Sequence, residues 1–106
     1  MGYILKACCE SCGYESEVRF GVGMRMRIDF FEMPAMAKHN KTITTRNILN
    51  LKVNKNITFY TEPEMYKGKI NDDAITFSDY SIKFSGNFCP KCEKYTVRFE
   101  VEALFD

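Results

Sequence analysis

Apolar residues recur at every second position over much of the chain, so the pattern is that of strands and not of helices. Tyr3 to Cys8 reads as a short strand. Val18, Phe20, Val22, Met24, Met26, Ile28 and Phe30 then alternate with Glu17, Arg19, Gly21, Gly23, Arg25, Arg27 and Asp29. This predicts a long half-buried strand with one polar face. Gly21 and Gly23 mark a bend or bulge in it. From Glu32 to Thr45 the alternation is lost, Pro34 intervenes, and Lys38-His39-Asn40-Lys41 forms a polar tip. This stretch reads as a loop with at most one helical turn.

Alternation resumes at Leu49, Leu51 and Val53, and Asn54-Lys55-Asn56 turns the chain into a returning strand from Ile57 to Thr61. Glu62 to Lys69, with Pro63 and Gly68, is a second loop. Ala74 to Phe77 and Tyr80 to Phe84 read as strands separated by a phase slip at Ser78-Asp79. Gly86-Asn87 is a turn, and Tyr95, Val97, Phe99 and Val101 form a last strand. The expected class is mostly β, with room for a short helix near Thr45 to Leu49 or Asn71 to Ala74.

Length and composition bound this picture. A chain of 106 residues, 45% of them hydrophobic, is expected to be one domain with a modest core. Chains of this size bury about two-thirds of their unfolded surface. The net charge of +1 argues against a protein that coats phosphates and against an acidic disordered tail. Met1 to Glu10 lacks the pattern of a secretory signal, and no apolar run is long enough to span a bilayer. The expected location is the reducing cytoplasm, with no membrane partner.

The cysteines change the picture most. There are five, and an odd count argues against a closed disulfide framework. Four fall into two Cys-x-x-Cys pairs, Cys9-Glu-Ser-Cys12-Gly13 and Cys89-Pro90-Lys91-Cys92. A tight turn with two intervening residues points both sulfurs at one centre, and its backbone N–H groups can partly neutralise the thiolates. Gly13 permits the positive φ such a turn wants, and Pro90 rigidifies the second turn. Two such turns facing each other give four thiolates in a tetrahedron, the arrangement of a closed structural zinc site. One pair follows the first strand and the other precedes the last, so joining them clamps the two ends of the chain.

These strings resemble the two knuckles of the zinc-ribbon and rubredoxin-like domain family. Tyr3 to Tyr14, with its strand before Cys-x-x-Cys-Gly-Tyr, also resembles the opening of small bacterial zinc-ribbon proteins of unassigned function. The resemblance covers the first 24 and last 18 residues or so. It implies that Cys9, Cys12, Cys89 and Cys92 bind one metal. It divides the chain into knuckle one at 9–13, a β-rich insertion at about 25–86 and knuckle two at 89–92, all in a single domain 1–106. Glu93 departs from the family, which often has Gly there, so a less regular second knuckle is expected. Zinc is the expected ion; iron in the same thiolates, for electron transfer, is the alternative. A thioredoxin-like dithiol would want a βαβ setting that the sequence lacks.

The remaining signals are weaker. Cys8 either replaces Cys9 as ligand or is a small buried hydrophobe, and the alternation favours the second reading. His39, the lone histidine, reads as a solvated loop residue. Met24, Met26, Met33 and Met36 offer thioethers, but core packing is the better account. Between Arg25 and Lys55, seven basic residues face only Asp29 and Glu32. Arg25, Arg27, Lys38, Lys41 and Arg46 are therefore candidate nucleic-acid contacts, although a solvated surface accounts for them more simply. Phosphate-loop, nucleophile-elbow and metalloprotease motifs are missing, so a non-catalytic protein is expected. The expected partner is a protein or a nucleic acid, and exposed strand edges would allow homo-oligomers.

Overall fold

The computed structural model describes residues 2–21, 31–47, 56–70, 73–77 and 79–105. Among these residues eight strands run in chain order: β1 Gly2–Cys9, β2 Glu15–Gly21, β3 Glu32–Ala37, β4 Thr42–Asn47, β5 Ile57–Phe59, β6 Ala74–Phe77, β7 Tyr80–Lys83 and β8 Val97–Phe105. The larger sheet has the order β4-β3-β2-β1-β8, with β5 also on β3, and β6-β7 form a separate hairpin. The protein is mostly β, with the cysteine pairs near the chain ends flanking a β-rich region, as the alternation implied. No α-helix occurs among the described residues; a 3-10 turn, Pro63–Met65, lies in the second expected loop.

β1 sits between β2 and β8, antiparallel to both. Its period of two sends Leu5, Ala7 and Cys9 into the core, while Lys6 and Cys8 face outward. Val18 and Phe20 from β2 and Val97 and Phe99 from β8 meet them there, each at most 1% exposed. The outward residues pair across strands, as in Lys6–Glu15 at 3.0 Å and Arg98–Glu10 at 3.4 Å.

The segment Glu32 to Thr45 corrects the expectation of a loop. It forms β3 and most of β4, joined by the polar turn 38–41. Every residue of β3 is buried, so both of its faces are covered and no polar alternation is left to read. Pro34 is tolerated because its carbonyl points away from β4, accepting the Tyr60 N–H at 3.2 Å. The missing Pro34 N–H therefore falls on that same side and leaves the β3–β4 ladder intact. Of the helix expected near Thr45 to Leu49, Thr45–Asn47 instead end β4, and the remaining residues lie outside the described ones. Ala74, at the other expected helix, opens β6.

Gly21, with φ 132°, is the last residue of β2, where the strand leaves Gly2 of β1 and meets Glu32 of β3. The continuation of that strand from Val22 to Phe30, the apolar positions Leu49, Leu51 and Val53, the start of the following turn, and the phase-slip residue Ser78 lie outside the described residues. β4 turns back along β2: Ser16 Oγ donates to the Ile43 carbonyl at 2.7 Å, and the Arg19 N–H donates to Thr45 Oγ1 at 3.0 Å. The β6-β7 hairpin is pinned by rings. Phe31 meets Phe77 at 5.3 Å and Tyr80 at 5.1 Å between centroids, and Tyr3 meets Phe77 edge-on. Met33 and Met36 pack in the core, as expected of apolar filling.

Candidate metal centre

β1 delivers Cys9 at its buried end, and the chain then loops back within one turn. The Cys9 N–H donates to the Tyr14 carbonyl at 2.8 Å, and the Gly13 N–H donates to the Cys9 carbonyl at 3.0 Å. The second pair repeats this pattern: Cys89 N–H to the Lys94 carbonyl and Glu93 N–H to the Cys89 carbonyl, both at 2.8 Å. Gly13 and Glu93 occupy the same place in the two loops, with φ 79° and 58°. The less regular second knuckle expected from Glu93 is not found. Glu93 adopts the left-handed conformation despite its side chain, and the loop keeps its hydrogen bonds.

The loops bring the four sulfurs together. Cys9 Sγ is 3.6 Å from Cys92 Sγ, Cys12 Sγ is 3.7 Å from Cys89 Sγ, and all four lie within 4.8 Å of one another. A disulfide would hold two sulfurs at about 2.0 Å. A tetrahedron of thiolates around one ion with metal–sulfur bonds of about 2.3 Å has edges of about 3.8 Å. The spacing is thus that of ligands, and the soft all-sulfur donor set suits a thiophilic ion.

Burial and hydrogen bonding shape each thiol differently. Cys9 and Cys89 are 4% and 0% exposed and belong to the core cluster, whereas Cys12 is exposed and Cys92 half-buried. Burial pushes the Cys9 thiol up, but hydrogen bonds from the Thr96 hydroxyl and the Cys12 and Ser11 N–H groups outweigh it and favour the thiolate. For Cys89, burial prevails over the Cys92 and Lys91 N–H groups and raises the pKa. A bound cation would favour all four thiolates together.

The surroundings fasten both knuckles to the fold. The Glu10 N–H donates to the Thr96 carbonyl at 2.9 Å, which ties knuckle one to the lead-in of β8. The Tyr60 hydroxyl, fully buried, donates to the Phe88 carbonyl at 2.7 Å just before knuckle two. Tyr14 accepts the Ile43 N–H on its hydroxyl at 3.0 Å while Lys91 sits over its ring at 5.5 Å. Sequence reasoning named the four cysteines but missed Thr96 and Tyr60. The position of Thr96, four residues after Cys92, carries no signal until the fold places it against Cys9.

Cys8 is not part of the cluster. Its side chain points away from Cys9, as the alternation required, but it is half-exposed and not the buried hydrophobe expected. The reason is the strand period, which puts Cys8 on the charged outer face opposite Glu15 and Arg98.

Of the basic candidates, Lys38 and Lys41 are exposed on the β3–β4 turn beside the exposed His39, and Arg46 is exposed on β4. The Arg46 guanidinium folds back on Thr44 Oγ1 at 3.3 Å and the Thr45 carbonyl at 3.0 Å. Arg25 and Arg27 lie outside the described residues. Among the described residues, no helix is long and apolar enough to cross a membrane.

Comparison with protein-family models, with curated proteins and with solved structures yields no match to this chain.

Proposed function

We propose that Cys9, Cys12, Cys89 and Cys92 hold a single zinc ion as a structural clasp, and that the β domain so held presents a binding surface to a protein or nucleic-acid partner without catalysing a reaction. The sulfur spacing carries this reading: the two close pairs, at 3.6 and 3.7 Å, match the edge of a zinc tetrathiolate. Zinc would neutralise thiolates that burial alone disfavours and would join the two ends of a small core. Free thiols in place of disulfides suit a reducing, cytoplasmic setting.

Metal analysis of the purified, reduced chain is expected to give one zinc per molecule. Cys12→Ser and Cys92→Ser are each expected to lose the zinc and the cooperative unfolding transition. A stoichiometry near zero in the unmodified, reduced protein would sink the reading.

The second reading is an iron electron-transfer centre in the same four thiolates, with which the backbone N–H bond from Cys12 to Cys9 Sγ at 3.4 Å is equally compatible. Iron would make the protein red, and colourless protein with bound zinc would reject it. For the partner, Lys38, Lys41 and Arg46, with Arg25 and Arg27, supply the phosphate contacts of a nucleic-acid reading. A band shift that weakens with salt and with Arg25, Arg27 and Lys41 replaced supports nucleic acid. No binding at low salt leaves a protein partner at a strand edge.

A further inference from the structure

The four sulfurs stand in unequal surroundings, and one hydroxyl makes the difference. Thr96 Oγ1 is 3.1 Å from Cys9 Sγ and 4.0 Å from Cys92 Sγ. The Thr96 carbonyl receives the Glu10 N–H at 2.9 Å. Thr96 thus follows knuckle two in sequence but is fastened to knuckle one, at the seam between them. A thiolate carries no proton, so with the ligands ionised the hydroxyl is the donor. Cys12, the exposed member of the set, takes a backbone donor, the Tyr14 N–H, beside its neighbouring cysteines.

We propose that Thr96 is a positioning residue of the metal site: its hydroxyl anchors the buried Cys9 thiolate, so the site opens from the opposite side, with the exposed Cys12 exchanging before Cys9. The inference rests on the zinc reading above and adds an order of release to it. Donors one step removed from a metal orient its ligands, and their loss typically changes metal affinity by about 10–100-fold. A chelator or electrophile reaches Cys12 from solvent, while Cys9 is both covered and hydrogen-bonded.

The test uses the full zinc-loaded chain, with metal content measured first. Limited alkylation with N-ethylmaleimide, read by peptide mass spectrometry, is expected to label Cys12 first and well before Cys9. Thr96→Val keeps the shape and removes the donor. Zinc transfer from this variant to a chromogenic chelator is expected to be about tenfold faster. Its cobalt-substituted form is expected to show a thiolate charge-transfer band at lower energy, because an unbonded thiolate is the better electron donor. Thr96→Ser should restore both readouts, which a purely structural role for the threonine methyl would not allow. Wild-type labelling of Cys9 as fast as Cys12 overturns the proposal, as does an unchanged release rate and band in Thr96→Val. Zinc-free wild-type protein overturns the metal reading itself and this inference with it.

Discussion

Gly13 and Glu93 occupy the same left-handed position in the two knuckles with different side chains. A Cβ added at Gly13 would meet nothing within 4 Å, so any cost there comes from the backbone alone. Gly13→Ala is expected to destabilise the protein by about 1–2 kcal/mol in denaturant unfolding. Glu93→Gly is expected to stabilise it by up to about 1 kcal/mol, because relief of the left-handed penalty exceeds the added chain entropy of glycine. Glu32 supplies a pH dependence. It is 8% exposed, and burial raises its pKa against the opposing pull of Arg19, 3.8 Å away. A carboxyl with a raised folded pKa favours the folded state while protonated, so stability falls as pH rises through that folded value. Glu32→Gln should flatten that slope in a series of unfolding curves above pH 4.

Between elements, the informative contact is the one that sets knuckle two against the sheet. Tyr60 follows β5, and its hydroxyl reaches the Phe88 carbonyl while its ring packs edge-on against Phe99 at 5.2 Å. Burial pushes the Tyr60 pKa well up, so the hydroxyl stays a donor. Tyr60→Phe preserves the ring contact and leaves a buried carbonyl without its partner. The expected cost is about 1–3 kcal/mol in thermal or denaturant unfolding. A neutral outcome would show that the Phe88 carbonyl finds another donor. Glu32 to Thr45 has the pattern of a loop because Met33, Pro34, Ala35 and Met36 show no alternation. They show none because every residue of β3 is buried, so neither face is left to water.

At the scale of the whole molecule, the proposed clasp joins the end of β1 to the approach of β8, strands that already pair along their length. A metal held there would therefore reinforce the closure that the sheet already makes. Removing the ion with a strong chelator is expected to lower the unfolding temperature and to raise hydrogen exchange first in knuckles 9–13 and 89–94. Because an ion binds thiolates and releases protons, acidification should release zinc and the stability that depends on it, and return to neutral pH should restore both. Tracking metal release and tertiary circular dichroism together across a pH titration checks the coupling: the two curves should coincide.

The chain's own pattern determined the β class, the strands at both ends, the opposite facing of Cys8 and Cys9, and the four cysteines worth watching. These follow from short-range rules: a period of two along a strand, and a two-residue spacer that turns a pair of sulfurs to one side. Only the tertiary structure decided that β3 is a strand covered on both faces, that Glu93 takes up a glycine conformation, and that Thr96 and Tyr60 hold the knuckles. The last two depend on a partner far along the chain, Cys9 for Thr96 and Phe88 for Tyr60. A contact of that kind leaves no periodicity to read, since it comes into being only when folding brings distant segments together.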